Sequence, residues 1–484
     1  MATALNAAVM PPVSRYVGVL RDALDREGVR GPLLIMKSDG GVTSAATCTR
    51  QPIQTVLSGP AAGVIGAVSV ARAAGFADLI SIDVGGTSAD ICLVRDGRPE
   101  ITKDGTIGPF PLKLPMLDIH TIGAGGGSVA AVSGAGGLSV GPRSAGAEPG
   151  PVCYGRGGSE PTVTDAHLCL GRIPAALLGG ELPLDVAAAR AAIGERIGRR
   201  LGLGVPEAAA GILEIIDNSM ARAIRTVSVG RGHDPRRFAL IASGGAGPLH
   251  ACRLAELLDI PTVVFPPRPG VLSTWGLLDT DIRATFVRTV GITERRVPGV
   301  DVAALGAAWG GLEAQARAWL DAERVPRDHQ RFEKSADLRY EHQSFELTCP
   351  LGDLPLTPAR VDALIATFHA EHRRLYTYDL AHAAVELVNL RVTAVGVLPK
   401  RTAPPPAANG TDARDALARE RPVYFRGAGF AATPVYARGR LAPGMAFTGP
   451  AIVDQDDATC LVAPGFRARV DHAHNLLLER SLHA

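Results

Sequence analysis

Apolar and polar positions alternate along this chain with two periods, one helical and one of strand type. Val13, Tyr16, Val17, Leu20 and Leu24 recur at helical spacing and predict an amphipathic helix over 12–28. Leu33 to Met36 is a short apolar run suited to a buried strand, ending in the turn-forming Ser38-Asp39-Gly40-Gly41. The next helix is marked by Ser58 and Pro60 at helix-start positions and stops at Gly75. Its Gly59, Gly63 and Gly66 make a smooth face that a backbone or a ligand can approach closely. LISIDVGGTSADICLV (79–94) then reads as strand, loop, strand, and Asp96-Gly97 turns the chain back into 99–102.

The stretch 121–158 is dense in glycine and proline, a composition suited to functional loops. Residues 183–202 and 206–229 read as helices. In the second, Ile212, Ile215, Ile216, Met220, Ala223, Ile224 and Val227 mark a core face. Phe238 to Ala242, a glycine turn, a helix over 249–259 and the run before Pro266 form a βαβ unit. After about 295 the pattern changes: a helix near 301–323, alternating strands, a helix at 358–376, a strand at 386–398 and a tail of short strands. No repeat of 20–50 residues is visible. The pattern describes an α/β chain with one domain over 1–290, a second over 300–484, and a Pro/Ala/Gly-rich linker near 401–412.

Composition narrows the function classes. A net charge of +2 with balanced acids and bases leaves no nucleic-acid footprint. Seven cysteines, far apart and never as C-x-x-C, suggest neither a disulfide framework nor a zinc site and favour a reducing cytoplasm. The N-terminus lacks a basic, then apolar, leader. Residues 61–82 are too rich in glycine and charge to span a membrane. A soluble, cytoplasmic protein without membrane or nucleic-acid partners is expected.

The richest candidate chemistry lies at 83–90. Asp83 ends an apolar strand, Gly85-Gly86-Thr87 makes a tight loop, and a second carboxylate, Asp90, follows. Glycines let backbone N–H groups close on an anion, the threonine adds a hydroxyl, and a strand-end aspartate can hold Mg²⁺ or orient a water. The combination suits a nucleotide phosphate; a plain hairpin turn is the simpler alternative. Two commoner phosphate loops do not fit. A Rossmann loop leads into a helix, whereas these glycines lead into a strand, and none of the five lysines follows a glycine as a P-loop requires.

Ser243 to His250 gives a second glycine signal, where Gly244, Gly245 and Gly247 open a helix that a nucleoside or phosphate could approach. His250 is a packing histidine or a catalytic one. Asp118 and His120, spaced to share one side of a strand, could bind a metal, relay a proton, or simply bond to each other. The following loop, with Gly125, Gly126 and Gly127, could wrap a phosphate or be merely flexible. Asp165 is either a polar residue near the site or a helix N-cap. No G-x-S-x-G, H-E-x-x-H or Walker motif is present.

Taken in order, IMKSDGGV (35–42), VLSGPAAGVIGA (56–67), SIDVGGTSADI (81–91), DIHTIGAGGGSVA (118–130), GPRSAGAEPGPVCYGRGG (141–158) and PTVTDAHLCLGRI (161–173) resemble the hydantoinase A / 5-oxoprolinase family. RGHDPRRFALIASGGAGPLHA (231–251), PPRPGVLSTWGLL (266–278) and, further on, DLRYEHQSFEL and GPAIVDQDDATCLVAPG extend the resemblance over nearly the whole chain. It implies an actin-like ATPase (ribonuclease H-like) core with a C-terminal α+β or β-rich domain. It further implies an ATP- and Mg²⁺-dependent A subunit that phosphorylates a lactam, imide or ketone oxygen. A hydantoinase B/oxoprolinase B-type subunit would complete ring opening or carboxylation in a hetero-oligomer. Carried over, Asp83, Gly85, Gly86 and Thr87 become phosphate and Mg²⁺ contacts, Asp83 being the metal ligand, with Asp90 and Gly125 to Gly127 beside them. Gly244, Gly245 and Gly247 would border the adenosine. Asp83, Asp118 and His120 are the candidate catalytic groups on a small cyclic amide.

Members of that family begin with another domain carrying its own D-x-G-G-T loop, and no second such loop occurs here. The expectation is a fragment, a truncated product or half of a split subunit. His167 stands where the family pattern has Asn, and His342 where it has Gly. The alternatives are a non-catalytic homologue that keeps the fold, the ATP-dependent subunit of an acetone-type carboxylase, and a sugar or carboxylate kinase.

Overall fold

Residues 79–94 fold as the alternation predicts. The strand Leu79–Val84 pairs antiparallel with Ala89–Arg95, and all of Leu79 to Ile82 is buried. Asp96 and Gly97 both take positive φ, 50° and 70°, which is why an Asp-Gly pair closes this hairpin onto Arg98–Pro99. The computed structural model describes residues 1–107, 109–290, 296–297, 301–352, 356–400 and 412–480. The expected linker near 401–412 falls, up to residue 411, outside the described residues.

The chain forms two compact units, each drawn from separated stretches. One comprises Met1–Ser58, Lys103–Met116 and Asp279–Arg401, the other Gly59–Thr102, Leu117–Leu278 and Thr402–Ala484. The sequence segments 1–290 and 300–484 each contribute to both.

In the first unit, seven described strands form one sheet whose centre is the long pair Gln330–Tyr340 and Val385–Gly396. The helix Val302–Ala322, capped by Asp301, packs on it through Leu305, Trp309, Leu312 and Leu320. The helix expected over 12–28 instead runs Ala2–Arg26, carries Pro11 and Pro12 inside, and buries only Val17. Tyr16, placed by the spacing on the apolar face, is exposed.

The second unit is built on a sheet of nine described strands. Along its path Ile119–Ile122, Ala89–Arg95, Leu79–Val84, Ala239–Ser243 and Thr262–Phe265 are neighbours in that order. Leu79–Val84 and Ala239–Ser243 run parallel and are buried on both sides, as their uninterrupted apolar runs require. The tail strands divide between two sheets. Leu476–Arg480 pairs with Thr262–Phe265 because its consecutive leucines can be buried only inside a covered sheet. Four other strands, Leu417–Phe425 to Thr459–Val462, make a smaller sheet.

The helix Val205–Val227 buries Ile212, Ile216, Met220, Ile224 and Val227 as its periodicity predicts. The helix expected over 183–202 is present: Val186–Ile193 continues through a π turn at Gly194–Gly198 into Arg199–Leu201. The helix Ser58–Ala73 uses its glycines for close approach to the helix Leu272–Asp279. A Cβ on Gly66 would lie 2.5 Å from the Leu272 carbonyl, and one on Gly276 only 1.8 Å from that of Ala62. All seven cysteines are buried free thiols, and among the described residues no helix is long and apolar enough to cross a membrane.

Candidate functional site

Because Leu79–Val84 and Ala239–Ser243 are parallel neighbours, both deliver their following loops to the same edge of the sheet, with Ser243 beside Asp83. The two loops interlock. Gly244 takes φ +78°, and a Cβ there would sit 2.3 Å from the Val84 carbonyl and 2.5 Å from Asp83 Oδ1. Glycine is therefore required at 244 by both backbone and space. The Ala246 amide donates to the Val84 carbonyl at 3.1 Å.

A third loop closes the arrangement from the other side. The amides of Gly126 and Gly127 donate to the carbonyls of Gly85 and Gly86 at 3.0 and 2.6 Å, and the Gly125 amide donates to Ser128 Oγ at 2.9 Å. This corrects the expectation that Gly125 to Gly127 wrap a phosphate with their amides. Those donors are spent on the 85–86 loop, and the small residues are there because a Cβ on Gly125 would stand 2.7 Å from the Gly86 backbone. The third loop buttresses the first.

What remains open is the rim. Gly85, Gly86 and Thr87 are exposed, and the Gly85 amide is used by the Ser88 carbonyl at 3.1 Å. Among the described residues the amides of Gly86, Thr87 and Gly245 meet no acceptor. Gly86 and Gly245 border a cavity of about 920 Å³, the size range of small-molecule sites. Its walls include Gly126, Thr164 and His167, the apolar run Ile173 to Leu178, and Arg419, Arg421 and Asp454. Gly244 and Gly247 lie behind this surface and shape the turn.

Asp83 and Asp90 are direct partners across the hairpin. Burial, reinforced by the Asp90 charge and opposed by the Ser243 hydroxyl, pushes the Asp83 carboxyl up from 3.8 to about 6. Burial also raises Asp90, while Thr121 Oγ1 donates to it at 2.6 Å and pulls the other way. Asp83 and Asp90 place two hard oxygen donors on one hairpin, both carboxyls raised by burial, a donor set whose chemistry suits a small divalent cation. Mg²⁺ takes one or two carboxylates and completes its shell with phosphate and water. Among the described residues no cluster of three or more His, Cys, Asp or Glu offers an all-protein metal cage.

Asp118 and His120 do not join the site. Thr121 pairs with Asp90, so the two-residue period puts His120, paired with Ile91, on the opposite face of the sheet. Asp118 forms an ion pair with Arg231, which also holds Glu100 at 3.0 Å. Asp165 is neither a site residue nor the N-cap. Thr162 caps the helix Val163–Cys169, and the buried Asp165 closes the capping box while accepting from the Val152 and Cys153 amides at 3.2 and 2.8 Å.

Sequence reasoning missed a buried chain at the cavity wall. His167 Nε2 lies 3.3 Å from His250 Nε2, and His250 Nδ1 lies 2.5 Å from Asp217 Oδ1. A signal for Asp217 existed, since an acid on the core face of the helix Val205–Val227 needs a buried partner.

Comparisons with known proteins agree over this whole framework. The Hydantoinase/oxoprolinase family matches residues 1–286, and the Hydantoinase/oxoprolinase C-terminal domain matches 295–481. Caprolactamase subunit alpha of Pseudomonas jessenii is 36% identical over 97% of this chain and 68% of its own length. The crystal structure of the ATP-dependent caprolactamase from that organism superposes with a TM-score of 0.89 at 35% identity, covering 98% of this chain and 69% of the other. A nucleotide-free acetone carboxylase structure gives 0.78 at 26% identity, covering 97% of this chain and 67% of the other. The mixed α/β architecture is theirs, and the chain spans about two thirds of these relatives. It is a member of the hydantoinase/oxoprolinase family.

Proposed function

We propose that this chain is the nucleotide-binding A subunit of an ATP-dependent cyclic-amide hydrolase, built on an actin-like ATPase core. The observation that carries this reading is the edge where Asp83 and Asp90 face each other and the Gly86, Thr87 and Gly245 amides stand without acceptors among the described residues, Gly86 and Gly245 lining one cavity.

Asp83 and Asp90 would hold Mg²⁺, which when bound supplies positive charge to the phosphate oxygens during phosphoryl transfer. The Gly86 and Thr87 amides and the Thr87 hydroxyl would receive phosphate oxygens as a preorganised set of donors. Gly126 and Gly127 keep that loop rigid, so little reorganisation is needed when charge moves. Gly245 and the apolar strip from Ile173 to Leu178 would take the nucleoside. The activated amide oxygen would pass to a B-type subunit for ring opening, in a cytoplasmic hetero-oligomer.

The test is ATP turnover by the chain with a B-type partner, stimulated by ε-caprolactam or 5-oxoproline. Stimulation by a cyclic amide supports the proposal; ATP turnover that ignores every cyclic amide opposes it. The likeness to acetone carboxylase favours a second reading, activation of a ketone for carboxylation. That reading predicts stimulation by a ketone with bicarbonate and none by a lactam.

A further inference from the structure

Three helices each contribute one buried polar side chain to a hydrogen-bonded row that ends at the cavity wall. Asp217 comes from Val205–Val227, His250 from Gly247–Leu258 and His167 from Val163–Cys169. Their exposures are 3%, 1% and 1%. His167 lines the cavity, and its Nδ1 is buried without a hydrogen-bond partner. A buried polar atom left unpaired costs free energy, so its retention beside a ligand-sized space points to a partner that arrives with the ligand.

The row also fixes which kind of partner. Asp217, with the buried Arg172 nearby, accepts a hydrogen bond, so His250 Nδ1 carries the hydrogen. With a neutral His250 ring, its Nε2 is a bare acceptor and His167 Nε2 is the N–H that meets it. That leaves His167 Nδ1 as a lone pair. Burial above all, with the Arg172 guanidinium close by, holds the His167 pKa well below its ordinary value and keeps the ring neutral.

We propose that His167 is a ligand-selecting residue whose Nδ1 accepts a hydrogen bond from a neutral O–H or N–H donor of the bound molecule, with Asp217 and His250 locking the acceptor tautomer. This rests on the nucleotide and cyclic-amide reading of the same cavity. The donor is a nucleoside hydroxyl or amino group, or the N–H of the amide.

Two measurements test it. Histidine ¹⁵N spectra of the wild-type chain, with His167 assigned through His167→Asn, should show a hydrogen on Nε2 and none on Nδ1. Binding is then compared for wild type and His167→Leu with ATP, 2′-deoxy-ATP, inosine triphosphate, inorganic tripolyphosphate and ε-caprolactam. The expected result is about tenfold weaker binding in the variant for ligands that carry the donor, and no change for the one that lacks it. A hydrogen on Nδ1, or all ligands within twofold of wild type, overturns the proposal. Wild-type protein that binds tripolyphosphate and caprolactam but no nucleoside triphosphate would sink the nucleotide reading, while the caprolactam arm still decides the role of His167.

Discussion

Asp83 stands directly opposite Asp90 across the hairpin, with Ser243 flanking the first and Thr121 hydrogen-bonded to the second. A carboxyl held at about 6 in the folded chain and near 3.8 when unfolded keeps its proton between those values only in the folded state. Stability from this group is therefore highest at low pH and declines as pH rises from about 4 to about 6. The deficit above pH 6 is on the order of 3 kcal/mol. Asp83→Asn should unfold at a higher temperature than wild type at pH 7.5 without Mg²⁺, and the two should converge near pH 4. Scanning calorimetry across that window reads the difference; equal unfolding temperatures at pH 7.5 contradict it.

Gly244 and Gly245 are adjacent and differ in what they tolerate. A Cβ at 244 meets the Val84 carbonyl in a left-handed backbone, whereas one at 245 finds its nearest atom at 3.7 Å. Gly244→Ala should cost about 2–4 kcal/mol, and Gly245→Ala less than about 1 kcal/mol. Urea unfolding of both variants compares them.

The capping box makes its own demand. Asp165 accepts from the Thr162 amide and hydroxyl and from the Val152 and Cys153 amides. Asp165→Ala would strand these donors inside the protein and should destabilise the fold by about 3–5 kcal/mol. A loss below about 1 kcal/mol in urea unfolding would show that water replaces the carboxylate.

Asp118 is tied to Arg231, and His120 lies on the face of the sheet away from Asp90. His120→Ala should leave nucleotide affinity within about twofold of wild type, since its side chain stands on the other face of the sheet from Asp90. A tenfold loss measured by titration calorimetry would return His120 to the site.

Local chemistry was legible where neighbours in sequence make the structure. Asp96-Gly97 closes its hairpin and Asp83 to Thr87 forms a rim because both depend on residues a few positions apart. The role of Gly125 to Gly127 was not legible, because a glycine amide can serve a ligand or another loop. Only the packing of 126–127 against 85–86 decides between them. The Asp217–His250–His167 row was hidden for the same reason, its members pairing across 33 and 83 residues. The helix over 12–28 was read too short because its apolar spacing begins after Pro11 and Pro12, which the helix Ala2–Arg26 accommodates. Its apolar face was misread because periodicity reports which residues share a side and not whether anything covers them.

The central claim is that the Asp83–Asp90 edge binds a magnesium nucleotide, and calorimetric titration of ATP at pH 7.5, with and without Mg²⁺, tests it most directly. The account predicts Mg²⁺-dependent binding to wild type that is weakened at least about tenfold in Asp83→Asn, the loss of one charge-assisted ligand. Binding that is indifferent to both Mg²⁺ and the substitution, or no binding to the wild-type chain, would contradict it.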